Sequence, residues 1–534
     1  MRRLVGSWVS LALVSSLAAC KATPEAPKND PLSKAVAAVG GAEVLAATKT
    51  YLLKGSIKQW EPEQSVTPDG EPRLGNESTF SVLADVTAGT SRTDWERKYA
   101  YPTPRVYTFS EVVTPSAGYV AGIDSTGRTK PNMDSNPPAH SMSGLRLVAT
   151  QREAARTSPL LLGALGSAPE RVKTVADVTV AGTAYPALEY TQGDQVLTVL
   201  LDQQSSLPAR IRSLDYDNVW GDVSYDVVLS DWKAADKLQI AGTRKYELNG
   251  KTISETHIDS LQSNVPVPAD SVAIPAAVAA TAAKPAAGKL PYQWVLRRQI
   301  IGTYLDSDEP SFDARGATPG LRLSELAPGI QQVVGGSHNS LLIEMKDHLI
   351  AFDAPVSDAQ SNWTLAAAKE KFPNKPVKYL VLTHHHMDHV GGFRAYAAQG
   401  VTLVVGKGAG DHFRRALAAP YTRNPYLATK DLSTTPVVEV DERQVLTDGT
   451  RDVTLQAIEN PHASSFLVGY IADADLGWVT DLWSPGRDPL PPKLNPNQAA
   501  LVAGLKKAGL NPARFAAGHG SIGEYAPLAA LEGK

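Results

Sequence analysis

The chain has 534 residues, 43% of them hydrophobic and 20% charged, with a formal net charge of −3. That length exceeds what one ordinary core supports, so two or three domains are expected. The balanced charge leaves no electrostatic footprint for nucleic acid or an anionic membrane. A single cysteine, Cys20, excludes an intramolecular disulfide.

In chain order, Arg2 and Arg3 precede an apolar run from Leu4 to Leu17. The run is shorter than the ~20 residues of a membrane-spanning helix and suits a signal-peptide core. It ends in Leu17-Ala18-Ala19-Cys20, which resembles a bacterial lipobox. The resemblance implies lipidation at Cys20, a signal peptide over residues 1–20 and a lipid anchor rather than a membrane span. Lys21, where an Asp would favour inner-membrane retention, points to the periplasmic face of the outer membrane in a bacterial cell envelope. The plain alternative is an ordinary signal peptide cut near the same alanines.

Residues 21–33, rich in Lys, Pro, Ala and Glu, read as a tether. A short helix is expected over 34–49, weakened by Gly40-Gly41 in its middle. From about 50 to 267, apolar-polar alternation recurs at Ser78–Val86, Val196–Leu201, Val223–Leu229 and Arg244–Leu248, with turn signals between. Asn249-Gly250, between two strand-like runs, is a hairpin signal. These features predict a mainly antiparallel β domain over 34–267 with one helical stretch near 144–165. The rhythm of "LTVLLDQQSSLPARIRSLDYDN" and "KYELNGKTISETHI" resembles the curved half-barrel of periplasmic lipoprotein carriers. That implies a lipid or protein ligand for this domain; the bland reading is a β domain that positions its neighbour.

Residues 268–289 are Ala/Pro-rich and read as an interdomain linker. Residues 290–324 connect onward, with a helix from Trp294 toward Leu305 that would dock on the following domain. From 325 to 534 strands and helices alternate: strands at Gly329–Val334, Ser340–Met345, His348–Asp353, Tyr379–Leu382 and Val401–Val405, a helix over 359–371, then strands at 453–458, 465–471 and 476–480, a helix near 497–508 and a last strand near 513–516. This is an α/β layered pattern.

The strand Tyr379–Leu382 runs into Thr383-His384-His385-His386-Met387-Asp388-His389. His384 and His386, two apart at a strand end, can aim at one point, and neutral imidazoles suit zinc. Asp388 and His389 then offer an oxygen and a nitrogen to a second ion, and Gly391-Gly392 allows a tight bend. The order His384-x-His386-x-Asp388-His389 matches the signature of the metallo-β-lactamase superfamily. Asn460-Pro461-His462, Thr480-Asp481 and Gly518-His519-Gly520 follow at spacings of 76, 19 and 38 residues between His386, His462, Asp481 and His519.

The resemblance implies an αββα sandwich over 325–534 holding two Zn2+, with iron or manganese as substitutes. It assigns His384, His386 and His462 to one metal, Asp388, His389 and His519 to the other, and Asp481 to both. It further implies hydrolysis of an ester, lactone, thioester or amide of a small-molecule substrate by metal-bound hydroxide, with Asp388 as the catalytic residue that orients the nucleophile and shuttles a proton. His338, Trp483, Ser484 and Arg487 are candidate substrate contacts, and Asp353 a candidate support for the metal histidines. His385 is expected to face away from the metals and His412 to be solvated. Two rivals remain: an envelope lipid- or partner-binding lipoprotein whose metal domain is structural, and a β-lactamase proper. The diiron oxidoreductase branch typically has Glu where His386 stands, which favours hydrolysis here.

Overall fold

The structure is a computed structural model that describes residues 30–125, 139–193, 195–286, 292–302, 320–336, 338–424, 427, 430–486 and 489–533. The leader, Cys20, most of the tether and Arg487 lie outside the described residues. Among those described, no helix is long and apolar enough to cross a membrane.

The N-terminal region is one antiparallel sheet of 13 strands. In chain order these are β1 (Thr50–Glu61), β2 (Arg73–Asp85), β3 (Thr90–Tyr99), β4 (Arg105–Val113), β5 (Gly118–Gly122), β6 (Ala139–Ser141), β7 (Val172–Val180), β8 (Thr183–Gln192), β9 (Gln195–Leu201), β10 (Pro208–Asp217), β11 (Gly221–Ala235), β12 (Leu238–Leu248) and β13 (Lys251–Ser263). Neighbours in sequence are neighbours in the sheet, except that β6 and β7 form its two edges and β1 pairs with β13, which brings the two ends of the region together. Alternation sets the buried face: Leu188 and Tyr190 of β8, and Leu197, Val199 and Leu201 of β9, point into one apolar cluster. Helices α1 (Pro31–Ala38), α2 (Ala42–Ala47), α3 (Gly144–Arg156) and α4 (Leu161–Ser167) belong to this region. Val36, Leu45, Leu162 and Leu165 cover that cluster. The Asn249-Gly250 turn joins β12 to β13 with both residues at positive φ, as its sequence demands.

Three expectations change here. Helix begins at Pro31, capped by Asp30, so the end of the expected tether is ordered, and Gly40-Gly41 divides the helix expected over 34–49 between α1 and α2. The Ala/Pro-rich stretch is laid on the sheet rather than standing free: α5 (Ala276–Ala279) buries Val278 against Val112 and Tyr119, and Ala286 N donates to Gly144 O. Helix α6 (Tyr292–Ile301) packs against the first sheet and bonds it through Ile300 O and Gln299 O, which accept from Asn76 and Arg97. Its Tyr292 and Val295 also continue, with Leu145 and Val219, into the apolar cluster of the C-terminal part.

The C-terminal part is a four-layer sandwich. A seven-stranded sheet has β14 (Arg322–Ala327), β15 (Ile330–Val334), β16 (Ser340–Glu344), β17 (Leu349–Phe352), β18 (Val377–Val381), β19 (Thr402–Gly406) and β20 (Val437–Val440) in that order. A six-stranded sheet has β21 (Arg443–Thr447), β22 (Asp452–Ala457), β23 (Leu467–Ile471), β24 (Leu476–Val479), β25 (Arg514–Ala517) and β26 (Ile522–Glu524). The two meet face to face: Ile350, Phe352, Val381 and Val404 pack on Leu455, Leu467, Ile471 and Trp478. Alternate residues, Leu349, Ala351, Leu380 and Leu403, point outward to the layer holding α7 (Asp358–Lys371), α8 (Met387–Val390), α9 (Phe393–Ala397) and α10 (Gly410–Ala418). Beyond the second sheet, Val468, Val479 and Phe515 meet Leu501, Val502 and Leu505 of α11 (Pro496–Ala508). This is the αββα order expected from the sequence.

Candidate metal centre

Each ligand loop begins where a strand ends, so the two sheets bring distant residues to one edge. Residues after β17 carry Asp353, those after β18 carry His384 to His389, those after β22 carry His462, those after β24 carry Asp481, and those after β25 carry His519. Strong constraints hold the bend after the histidines. A Cβ on Gly391 would lie 2.1 Å from Val356 O, so the close approach of backbones requires glycine there.

His384, His386 and His462 form one group whose ligand atoms lie within 4.8 Å of one another. Their ring centroids are 4.5 Å (His384–His386), 4.6 Å (His386–His462) and 5.1 Å (His384–His462) apart. Asp388, His389 and His519 form a second group, and His338 joins it. His389 Nε2 lies 3.2 Å from His519 Nε2, and His338 Nε2 lies 3.2 Å from Asp388 Oδ2. Asp481 stands between the groups. Its Oδ2 is 2.9 Å from His389 Nε2 and 3.6 Å from His384 Nε2; its Oδ1 is 3.1 Å from His519 Nε2 and 3.7 Å from His462 Nε2.

Buried polar atoms normally find partners. Here His384 Nε2 and His462 Nε2 are buried with no hydrogen-bond partner among the described residues, and each lies within 3.7 Å of an Asp481 oxygen. That pattern fits cations held by these donors. Burial and the neighbouring imidazoles push His384 and His386 well below the usual histidine range, keeping their lone pairs free. Burial alone would raise Asp388 and Asp481, yet the surrounding histidines hold both well below the usual carboxylate range. Burial would lower His389, but Asp481, Asp353 and Asp388 overcome it and lift the ring well above its ordinary value.

Asp353 sits behind the centre as its sequence context suggested. It accepts from Thr383 N and Thr383 Oγ1 at 2.9 Å each and lies 3.4 Å from His389 Nδ1, orienting that ring. Both Asp353 and Asp481 have positive φ, 58° and 47°, a costly conformation for a non-glycine residue and one found at functional sites.

Some expectations are redirected. His338, expected at the substrate, stands among the second group of ligands because the turn after β15 carries it over Asp388. Trp483, also expected there, is buried in the outer cluster with its ring 5.9 Å from Phe515. Ser484 is half-buried beside it. His412 is not solvated: it is buried, its Nδ1 2.8 Å from Asp69 Oδ1, because the N-terminal region covers it. His385 turns from the ligands, with its Nε2 donating to Ser65 O at 2.9 Å.

That contact marks residues the sequence did not point to. The segment between β1 and β2 reaches into the centre: Gln64 Nε2 donates to Asp388 Oδ1 at 2.7 Å, and Ser65 O accepts from His386 Nε2 at 2.9 Å. Tyr101 OH donates to Gln64 Oε1 at 2.7 Å, and Arg73 donates to His462 O at 2.8 Å. Gln64 and Ser65 lie in a polar loop without a motif, Arg73 opens β2 and Tyr101 follows β3, and nothing local marks them.

Among solved structures, the chain is similar to a metallo-beta-lactamase from Pontibacter korlensis, at 18% identity and TM-score 0.31, over 40% of this chain and 98% of that one. It is also similar to the metal-soaked Flv1 flavodiiron core from Synechocystis sp. PCC6803, at 16% identity and TM-score 0.33, over 40% of this chain and 59% of that one. No curated protein matches. The family model of the metallo-beta-lactamase superfamily matches residues 333–519, the stretch that runs from β15 to His519.

Proposed function

We propose that this protein is an envelope-anchored dinuclear zinc hydrolase acting on an ester, lactone, thioester or amide. The observation that carries the reading is the pair of ligand groups with Asp481 between them. His384, His386 and His462 would hold one ion; Asp388, His389 and His519, with His338 beside them, would hold the other; Asp481 would serve both. Three imidazoles in the first group favour zinc. Divalent metal bound there would acidify water and polarise a carbonyl.

The protein's own groups do the rest. Asp388, held ionised by His338, is placed to accept the proton of the attacking water and pass it to the leaving group. The water oxygen bonds to the carbonyl carbon, and the bond to the leaving oxygen, sulfur or nitrogen breaks. Burial of the histidines excludes bulk water and strengthens each charge interaction. The anchor belongs to the proposal through Leu17-Ala18-Ala19-Cys20.

The test uses residues 21–534, with zinc and iron counted per chain and a panel of chromogenic esters, lactones, thioesters and a cephalosporin. About two zincs per chain and turnover abolished by His386→Ala are expected. A chain that takes up neither metal refutes the reading. Metal without turnover on any substrate would favour the structural-module rival, and turnover confined to the cephalosporin would favour a β-lactamase.

A further inference from the structure

We propose that the N-terminal β region is a working part of the metal centre. Its segment 61–70, between β1 and β2, would supply the outer hydrogen bonds that set His386 and Asp388, with Gln64 as the positioning residue. The inference rests on the dinuclear reading above and adds residues that lie outside the stretch 333–519 matched by the family model.

The first argument is about lone pairs. Ser65 O is a carbonyl and can only accept, so His386 must carry its proton on Nε2, 2.9 Å away. A neutral ring protonated there has its lone pair on Nδ1. His384 and His462 present the opposite nitrogen: their Nε2 atoms are the buried, unpartnered ones. Ser65 thus selects one tautomer of one ligand, the task that outer partners perform for metal histidines.

Asp388 is set in the same way. An ionised carboxylate only accepts, so the Gln64 amide must turn its NH2 toward Asp388 Oδ1, at 2.7 Å. The amide oxygen then faces Tyr101 OH, which donates to it at 2.7 Å. With Oδ1 held, Oδ2 is left toward His338 and His389, at 3.2 and 3.9 Å.

The segment is built to hold this geometry. Gln64 and Ser65 are 4% and 1% exposed. From below, Arg297 of α6 pairs with Glu61 and with Glu63, the latter at 2.8 Å. From the far side, Val66 O accepts from Ser464 N at 2.7 Å, and Asp69 pairs with His412 and Arg415.

The experiment loads the 21–534 chain with zinc and titrates it with a competing chelator, reading metal per chain rather than turnover. Gln64→Ala should weaken one of the two zincs by roughly 10–100-fold and leave the other, as loss of an outer partner does. Tyr101→Phe, which removes a single hydroxyl and preserves the ring, should shift the same zinc in the same direction by less. Asp222→Ala loosens the contact between the same two regions away from segment 61–70, where Asp222 accepts from Thr422 Oγ1 at 2.6 Å and Arg423 N at 2.9 Å, and should keep both zincs at wild-type affinity. Wild-type affinity in Gln64→Ala, or the same loss in Asp222→Ala, overturns the inference and leaves the hydrolase reading standing. A wild-type chain that binds no zinc overturns both.

Discussion

Replacing Arg297 with Met takes the positive charge out of a buried group of acids. The guanidinium, 4% exposed, pairs with Glu61, with Glu63 at 2.8 Å and with Asp217 at 2.8 Å. Burial lifts Glu63 well above the usual carboxylate range, against the pull of the Arg297 charge. Breaking a buried pair by removing one partner costs about 3–5 kcal/mol, because the remaining charge is left uncompensated. At roughly 2–4 °C per kcal/mol for a region of this size, the melting midpoint should fall by roughly 6–20 °C.

The pH dependence carries the sharper test. Burial would raise Asp217, but Arg297 and a hydrogen bond from Glu63 hold it below its ordinary value. A depressed carboxylate adds stability above its unfolded pKa, about 3.9, and that stability disappears as pH falls through the folded value. Without Arg297 this contribution is absent. The gap between wild type and Arg297→Met should therefore be widest near pH 7 and close toward pH 3. Calorimetric scans at several pH values would measure it. A gap under about 1 kcal/mol, or one that widens in acid, would refute the account of the cluster as a charge-compensated anchor.

Two further outcomes follow from the interior. Asp358 is buried and pushed up to about 6, although Tyr421 and Asn424 donate to its Oδ2. A raised carboxyl stabilises the fold below its unfolded pKa, and the benefit is lost as pH rises through about 6; Asp358→Asn should thus gain about 3 kcal/mol on wild type between pH 4 and 7, and equal pH slopes in urea unfolding would count against it. Gly391→Ala would force its methyl against Val356 O, where only 2.1 Å is free, so a loss of about 1–3 kcal/mol and of bound zinc together is expected; an alanine variant with wild-type melting and metal content would show that the loop yields.

The candidate ligand residues could be picked out of the sequence because most of them are close together in the chain. His384, His386, Asp388 and His389 share seven residues of chain with the strand that aims them, and His462, Asp481 and His519 each follow an apolar strand of their own. Alternation likewise marked β2, β9, β11 and β12, since a half-buried strand writes its two faces into its sequence. Composition misled where burial came from elsewhere. The Ala/Pro-rich stretch reads as a free linker, yet Val112 and Tyr119 of the sheet offer a place for Val278 that no property of residues 268–289 announces. His412 follows a glycine-rich turn and reads as solvated; Asp69 reaches it from the other end of the chain.

By itself, then, the sequence determined which side chains could hold metal and which strands would carry them, because strand periodicity and ligand spacing are short-range properties. Tertiary structure alone decided what surrounds them. The Gln64–Asp388 bond joins residues 324 positions apart, and His338 meets Asp388 through a turn on a different strand. Such contacts depend on how two sheets are set against each other. That placement is decided by the continuous packing of Leu145, Val219, Tyr292 and Val295 into the C-terminal core, and by Arg394 donating to Asn218 O and Val219 O across the boundary. Packing of this kind is distributed over many weak contacts, so no single stretch of sequence records it.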